Sequence, residues 1–269
     1  MKSVFLTPVF LMLLIACRPG TEKKEPAKSS DKETTKPEEW IQLFNGKDLD
    51  GWIIKIAKHP LHENFNHTFR VENGMMVIRY DEYDTFDGEY GHIFYETPYS
   101  HYKLRVEYRV VGKQVRGGQG WALKNNGVMF HAQSPESMLI DQDFPVSIEA
   151  QLLGGTGEGE RPTGNLCTPG TNVVINGALV TQHCTSSTSK TIRGEEWVSL
   201  ELVVLGDSII HHLVDGDTVL TYSKPQIGGD LPEGFPLEEG TLLTSGYIAL
   251  QAESHPFDFR KVELLDLSK

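Results

Sequence analysis

The sequence predicts an all-β chain that folds as a two-sheet antiparallel sandwich. Asn73-Gly74, Asn176-Gly177 and Asp215-Gly216 each separate two runs of strand-forming residues, which is the usual signature of a tight β-hairpin. No segment sustains the i, i+3, i+4, i+7 apolar spacing of an amphipathic helix for more than about two turns. Many short strands joined by glycine-rich turns are typical of a sandwich, and a closed barrel is the structural alternative.

Period-two alternation of apolar and polar residues is clearest in "VSIEAQL", residues 146–152. It sends the apolar side chains to one face of a strand and the polar side chains to the other. The scheme recurs in "LRVEYRV" (104–110), "NGVMFHAQ" (126–133) and "GYIALQAE" (246–253). A solvent-facing sheet also alternates in this way. However, carboxylates, amides and imidazoles without lysine, as in three of these runs, suit a groove that binds sugar hydroxyls.

The N-terminal segment predicts export. "MKSVFLTPVFLMLLIAC" has one lysine and a short apolar run, and its end resembles a bacterial lipobox. We expect a signal peptide over residues 1–16 and a lipid on Cys17, the alternative being an ordinary secretory signal. The Lys, Glu, Ser, Thr and Pro that follow cannot bury enough apolar surface to fold. Residues 17–38 are therefore predicted to be a lipidated tether, and residues 39–269 a single domain.

The cysteine content indicates the redox environment of the protein, and the net charge limits the classes of partner it can bind. Besides Cys17 the chain has only Cys167 and Cys184, and a pair of cysteines in an exported chain tends to form a disulfide. Two free buried thiols are the alternative. A formal net charge of −12 argues against nucleic acid, which needs a basic surface, and is compatible with a neutral sugar ligand.

Five segments in sequence order resemble the signature strands of the 3-keto-disaccharide hydrolase family. They are "LFNGKDLDGW" (43–52), "YKLRVEYRV" (102–110), "NNGVMFHAQ" (125–133), "SIEAQLL" (147–153) and "GYIALQAESHPFDFRKVELLDL" (246–267). The resemblance implies a concanavalin A-like jelly roll in a bacterial lipoprotein. It implies attachment to the outer membrane through Cys17 only, on its periplasmic or cell-surface face. It implies no required cofactor and allows a structural calcium.

The family's implied activity is cleavage of a glycoside whose carbon 3 is a ketone. The ketone acidifies the hydrogen on carbon 2, so a base can remove it and the aglycone can leave from carbon 1. Glu149 and His131 are the predicted acid/base pair, with neither role assigned to either residue, because burial raises a carboxyl pKa and histidine titrates near neutrality. We expect the substrate to contact a further set of side chains, Gln133, Gln151, Gln251, Glu253, His255, Arg109, Glu107 and Trp121.

Several alternatives stay open at this point. Glu107 and Arg109 could instead form structural ion pairs, and Trp121 could belong to the core. A conventional retaining glycosidase needs two carboxylates about 5–5.5 Å apart, and the strand around Glu149 lacks the further acids that sandwich glucanases carry. A non-catalytic sugar-binding module would use the same groove without a base. The arm around Cys167 and Cys184 is longer than is usual for the family, and His131 stands where the family often has arginine.

Overall fold

In the computed structural model, the described residues are Met1, 38–157 and 159–268. They include the compact unit that begins at Glu38. The predicted signal peptide, the lipidation of Cys17 and the tether lie outside the described residues and stay predictions.

No helix among the described residues is long and apolar enough to cross a membrane.

The described residues form seventeen strands and three single-turn 3-10 helices, at Phe65–His67, Gly120–Ala122 and Pro135–Ser137. The strands are β1 Ile41–Gln42, β2 Trp52–Ile56, β3 Phe69–Glu72, β4 Met75–Ile78, β5 Gly91–Tyr95, β6 His101–Val110, β7 Asn125–Ala132, β8 Ile148–Leu153, β9 Asn165–Cys167, β10 Thr171–Ile175, β11 Ala178–Val180, β12 Cys184–Thr185, β13 Val198–Leu205, β14 Ile209–Val214, β15 Asp217–Ile227, β16 Tyr247–Ala252 and β17 Phe257–Asp266.

Two antiparallel sheets make the predicted sandwich. The larger sheet has ten strands in the order β11-β10-β15-β14-β13-β6-β17-β4-β3, with β1 paired to β17. The smaller sheet has seven strands in the order β12-β9-β8-β7-β16-β5-β2. Each sheet has two open edges, so the structure is a jelly-roll sandwich and the barrel alternative is wrong.

The three predicted hairpin turns are confirmed. Asn73-Gly74 joins β3 to β4, Asn176-Gly177 joins β10 to β11, and Asp215-Gly216 joins β14 to β15. Both residues of each turn have positive φ. This is the backbone of a type I′ turn, whose twist matches that of the flanking strands.

The main core lies between the two sheets. The predicted inward side chains of β6, β7, β8 and β16 belong to it, except that Ala132 and Val146 lie in two smaller clusters. Tyr102, Tyr108 and Phe130 are among its largest fully buried members. Side chains on the outer face of β6 are only partly buried.

The outer face of the smaller sheet is also covered, unlike that of β6. The segment 133–147 crosses it, and Met138 of that segment packs against Phe94, Met129 and Ala249. The backbone carbonyl of Ile140 accepts a hydrogen bond from the Lys55 ammonium at 2.9 Å. Polar side chains on this face are therefore shielded from water, which determines the chemistry described below.

The predicted disulfide between Cys167 and Cys184 is confirmed. The two cysteines face each other directly across the β9–β12 pair. The bond therefore fastens the short edge strand β12 to the smaller sheet.

Replacing both cysteines by alanine is expected to lower the free energy of unfolding by about 3 kcal/mol, because the unfolded chain loses the constraint of a short closed loop. Urea denaturation under oxidising conditions measures the change. Wild-type protein with its disulfide reduced is the matched control and should unfold at the midpoint of the variant. An unchanged midpoint in the variant would show that this cross-link does not stabilise the fold.

Candidate functional site

The outer face of the smaller sheet brings together polar side chains from four neighbouring strands. The pairing of β7 with β8 places Gly127 opposite Gln151 and Met129 opposite Glu149. The pairing of β8 with β9 continues these rows to Asn165 and Cys167. Alternation along each strand therefore concentrates carboxyl and amide groups on one shielded surface.

A cavity of about 380 Å³ opens on this face. Its hydrogen-bonding side chains include Asn125, Glu149, Gln151 and Glu253, and its apolar lining includes Trp121, Phe144 and the disulfide. Aromatic contacts hold the apolar side in place, since Tyr90 lies 5.8 Å from Trp121 and 5.0 Å from Phe144 between ring centroids. A polar floor beside an aromatic surface is the usual composition of a sugar site.

Glu149 lies at the centre of the cavity floor. Its side chain is 6% exposed, and burial raises the pKa of its carboxyl to about 8. The carboxyl rests over Gly127, because a Cβ added to that glycine would lie 2.4 Å from the Glu149 Oε1. Glycine at 127 is thus required by a close approach of the carboxyl to the backbone.

Glu253 follows β16 and supplies the second carboxyl of the cavity. It is 3% exposed, and its Oε2 has no hydrogen-bond partner among the described residues. Burial is the main cause that raises the pKa of Glu253 well above its ordinary value. The negative charge of Glu149 raises it further, whereas the Arg161 guanidinium opposes the shift. Burial therefore favours the protonated form of both carboxyls, and an ionised Glu149 makes ionisation of Glu253 still less favourable.

Arg161 and Lys124 are tied to the backbone beside the pair. Arg161 donates hydrogen bonds to the carbonyls of Lys124 and Gly154, and the Lys124 ammonium donates to the carbonyl of Gly155 at 3.0 Å. Neither residue lines the cavity, and no lysine or arginine of residues 38–157 and 159–268 does. The positive charge of Arg161 acts on Glu253 from outside the cavity lining.

A second cavity of about 440 Å³ adjoins the first. Phe144, Pro169 and His183 line both, so the two cavities are immediate neighbours. The polar lining of the second cavity includes Asp143 and Asp230.

Four of the predicted site residues line the first cavity, namely Glu149, Gln151, Glu253 and Trp121. Trp121 is 53% exposed and is not a core residue. Gln251 lies on the same face but is fully buried, and neither atom of its amide has a hydrogen-bond partner among the described residues. His255 is buried outside the cavity lining, and burial, with Lys124 and Arg161, lowers its pKa to about 4.

His131 is not where the alternation predicts, and its pairing with Glu149 is not observed. The β7–β16 pairing shifts register beside it, and His131 has a φ of 46°. This bulge turns the imidazole towards the larger sheet, where Nε2 donates to the carbonyl of Gly206 at 3.1 Å. Burial lowers the His131 pKa to about 4, so the imidazole is neutral near pH 7.

Gln133 has a structural position rather than a place in the cavity. Its Oε1 accepts hydrogen bonds from the Gln142 side chain at 2.9 Å and the Val146 backbone at 2.7 Å. Its Nε2 donates to the Ser137 hydroxyl at 3.0 Å. These bonds close the segment 133–147 over the smaller sheet.

Glu107 and Arg109 lie on the outer face of the larger sheet, remote from this cavity in the fold. Glu107 pairs with Arg260 and Lys261, and Arg109 pairs with Asp258 at 2.7 Å. All these pairs cross from β6 to β17. Glu107 and Arg109 therefore form structural ion pairs with residues of β17, and not with each other.

Sequence reasoning missed Asn125, Gly127 and Asn165. Asn125 and Gly127 stand four and two positions before Met129, so the same alternation puts them on the outer face. Asn165 stands two positions before Cys167 on a strand too short to show a period. Phe144 comes from the covering segment, for which the sequence carried no signal.

The described residues contain no group of three or more histidine, cysteine, aspartate or glutamate side chains placed to hold a metal ion. The structural calcium stays a prediction.

Comparison with known families matches residues 39–265 to the 3-keto-alpha-glucoside-1,2-lyase-like domain. The chain belongs to this family. Membership supports a carbohydrate-active function and agrees with the sugar-site composition of the cavity.

Solved structures of low sequence identity share the fold. One is provisionally described as a glycosyl hydrolase from Parabacteroides distasonis, with 20% identity, a TM-score of 0.52, and coverage of 85% of this chain and 94% of that chain. Another is a Bacillus subtilis protein of unknown function with a galectin-like fold, with 9% identity, a TM-score of 0.50, and coverage of 85% and 94%. No match was found among curated proteins.

Gly127→Ala is expected to displace the Glu149 carboxyl while the strand still forms, because the new methyl group would meet Oε1 at 2.4 Å. The stability of the variant should therefore depend less on pH between pH 5 and pH 8 than that of wild type, because a displaced carboxyl is less buried and its pKa moves towards the ordinary value. Urea denaturation at the two pH values measures this, and Gly157→Ala is the control, since nothing lies within 4 Å of its added Cβ. An unchanged pH dependence in Gly127→Ala would contradict the placement of the carboxyl.

Glu149→Gln is expected to stabilise the fold at pH 8 relative to wild type by about 1–3 kcal/mol. The folded pKa of Glu149, about 8, exceeds the ordinary value of 4.5, so the folded state holds the proton more tightly. Wild-type stability is therefore lost as pH rises from about 4.5 through about 8, whereas glutamine does not titrate. Urea denaturation at pH 5 and pH 8 measures the difference, with the exposed Glu233→Gln as control. An equal difference at both pH values would exclude the raised pKa.

Proposed function

We propose that this protein cleaves 3-keto-glycosides by elimination of the aglycone followed by hydration. One observation carries the proposal: Glu149 and Glu253 are two buried carboxyls in one cavity, and the negative charge of one opposes ionisation of the other. Elimination needs a base and an acid in the same site at the same pH. A coupled pair that holds one proton supplies both. Family membership supports the substrate class.

In the elimination, ionised Glu149 takes the proton from carbon 2, and the electron pair of that C–H bond forms the enolate of the carbon 3 ketone. The enolate then re-forms the carbon 3 ketone, and its electron pair makes a double bond between carbons 1 and 2. The bond from carbon 1 to the aglycone oxygen breaks at the same time. Protonated Glu253 gives its proton to that oxygen, so the aglycone leaves as an alcohol. Glu149 is now protonated and Glu253 ionised.

In the hydration, ionised Glu253 takes a proton from water while the water oxygen adds to carbon 1 of the unsaturated ketone. Protonated Glu149 returns its proton to carbon 2. The products are a free 3-keto-sugar and the aglycone alcohol, and one water is consumed. Both carboxyls return to their starting protonation states.

The adjoining second cavity provides space for the aglycone. It shares Phe144, Pro169 and His183 with the first cavity. The keto-sugar ring would lie over Glu149 and Glu253, with its carbon 1 directed towards the second cavity. The proposal includes export and membrane attachment through Cys17, which rest on the sequence of residues 1–17.

A conventional retaining glycosidase is less well supported. Its nucleophile would have to be ionised just as the base of the elimination is, so the raised pKa of Glu149 does not separate the two reactions. The match to a 3-keto-alpha-glucoside-1,2-lyase-like domain is what favours the ketone substrate. A binding module would have no need for two buried carboxyls without a cation in the cavity lining, because their burial costs stability.

The test is release of a chromogenic aglycone from a 3-keto-glucoside and from its unoxidised parent. We expect cleavage of the ketone alone, with a rate that rises with pH and levels off above about 8 as Glu149 ionises. Glu149→Gln and Glu253→Gln should each lower kcat by at least about 10²-fold. His131→Ala, outside the cavity, and Glu233→Gln should keep wild-type kcat.

Other outcomes would select a different function. Equal cleavage of the unoxidised parent would identify a conventional glycosidase. Binding of both sugars without cleavage of either would identify a binding module.

A further inference from the structure

The side-chain amide of Gln151 uses its oxygen in a hydrogen bond and leaves its nitrogen unbonded. Its Oε1 accepts a hydrogen bond from Asn165 Nδ2 at 3.1 Å. Its Nε2 has no hydrogen-bond partner in residues 38–157 and 159–268, and Gln151 lines the cavity next to Glu149. The free end is therefore available to a ligand.

The orientation of the Asn165 amide is fixed by two backbone groups of known polarity. The backbone N–H of Ser187 can only donate, and it donates to Asn165 Oδ1 at 2.9 Å. The backbone carbonyl of Pro162 can only accept, and it accepts from Asn165 Nδ2 at 3.0 Å. Asn165 therefore has to present Nδ2 to Gln151.

The orientation of Gln151 follows from that of Asn165. A donor at Asn165 Nδ2 requires an acceptor, so Gln151 Oε1 must point to Asn165. The atom left for the cavity is Nε2, a donor. The hydrogen bonds from Ser187 to Asn165 and from Asn165 to Gln151 thus determine that a donor, and not an acceptor, faces the cavity.

Gln151 also lies at the right separation from the base. It is two residues beyond Glu149 on β8, and so on the same face at about 6.6 Å along the strand. The Glu149 carboxyl leans over Gly127, and Gly127 is the direct partner of Gln151 across the β7–β8 pair. A carboxylate reaching carbon 2 and a donor reaching the oxygen on the adjacent carbon 3 fit such a spacing.

We infer that Gln151 is a catalytic residue that donates its Nε2–H to the carbon 3 oxygen as the enolate charge develops, and that Asn165 is the positioning residue that fixes this donor. This inference rests on the proposed function. No proton is transferred in the contact, so the elimination balances as written above. No lysine or arginine of the described residues lines the cavity, and a neutral donor stabilises the oxyanion without lowering the pKa of the base as a cation would.

The kinetic test compares Asn165→Asp with Gln151→Met on a 3-keto-glucoside. An aspartate can still accept from Ser187 but cannot donate, so the Gln151 amide turns over and presents Oε1 to the ligand. Each variant should lower kcat by about 10²–10³-fold, the effect of losing one oxyanion donor. Asn176→Asp, on an exposed hairpin turn, introduces the same charge at a residue that lines neither cavity and should keep wild-type kcat.

The double variant separates positioning from a general effect of Asn165. If Asn165 acts only through Gln151, then adding Asn165→Asp to Gln151→Met costs no further activity. Losses that multiply would overturn the positioning role. Wild-type kcat in Gln151→Met would overturn the catalytic role, and this variant decides the point even if Asn165→Asp fails to fold.

The spectroscopic test uses Glu149→Gln protein, which binds the ketone without cleaving it, and a ligand labelled with ¹³C at carbon 3. Infrared difference spectra should show a lower carbonyl stretching frequency in Glu149→Gln than in Glu149→Gln/Gln151→Met, because the donor polarises the carbonyl. Equal frequencies would overturn the inference alone. A protein that neither binds nor cleaves the ketone would overturn the proposed function and, with it, this inference.

Discussion

The site depends on the exclusion of water from the outer face of the smaller sheet. In most antiparallel sandwiches that face is wet, and a glutamate on it has an ordinary pKa. Here the segment 133–147 covers part of the sheet and contributes Phe144 to the cavity, and Glu149 and Glu253 are almost completely buried. Ionisation of either carboxyl therefore costs more free energy than it does in water. Packing on the outer face of the sheet thus determines the protonation of the two carboxyls.

The side chains beside the two carboxyls in the cavity include neutral amides, and hydrogen bonds hold these amides in a fixed orientation. Asn165 receives its orientation from backbone groups, and the nearest cations, Arg161 and Lys124, are bound to backbone carbonyls beyond the cavity lining. Fixed dipoles stabilise a developing charge without the reorganisation that water would need. An environment of this kind favours a reaction in which charge appears on the substrate and disappears again, as in an enolate.

The fold could be predicted from the sequence because turns and strand faces are specified by residues close together in the chain. Asn-Gly and Asp-Gly pairs specify type I′ turns by their tolerance of positive φ, and alternation specifies which face of each strand is buried. Glu149, Gln151 and Glu253 followed from the same alternation. His131 did not, because one bulge residue reverses the face of a side chain and the sequence shows no mark of it. Glu107 and Arg109 were misplaced because alternation identifies a face but not the sheet to which a strand belongs.

The carboxyl of Glu149 lies against the backbone of Gly127. Because of this contact, a substitution at either position restricts which residues the other position can hold. A descendant that replaced the glycine by any larger residue would have to shorten or move the acid at 149. A descendant that lost the acid would be released from the need for glycine at 127. Across the family, therefore, the two positions should vary together or not at all, and members that keep one without the other should be those that have abandoned this chemistry.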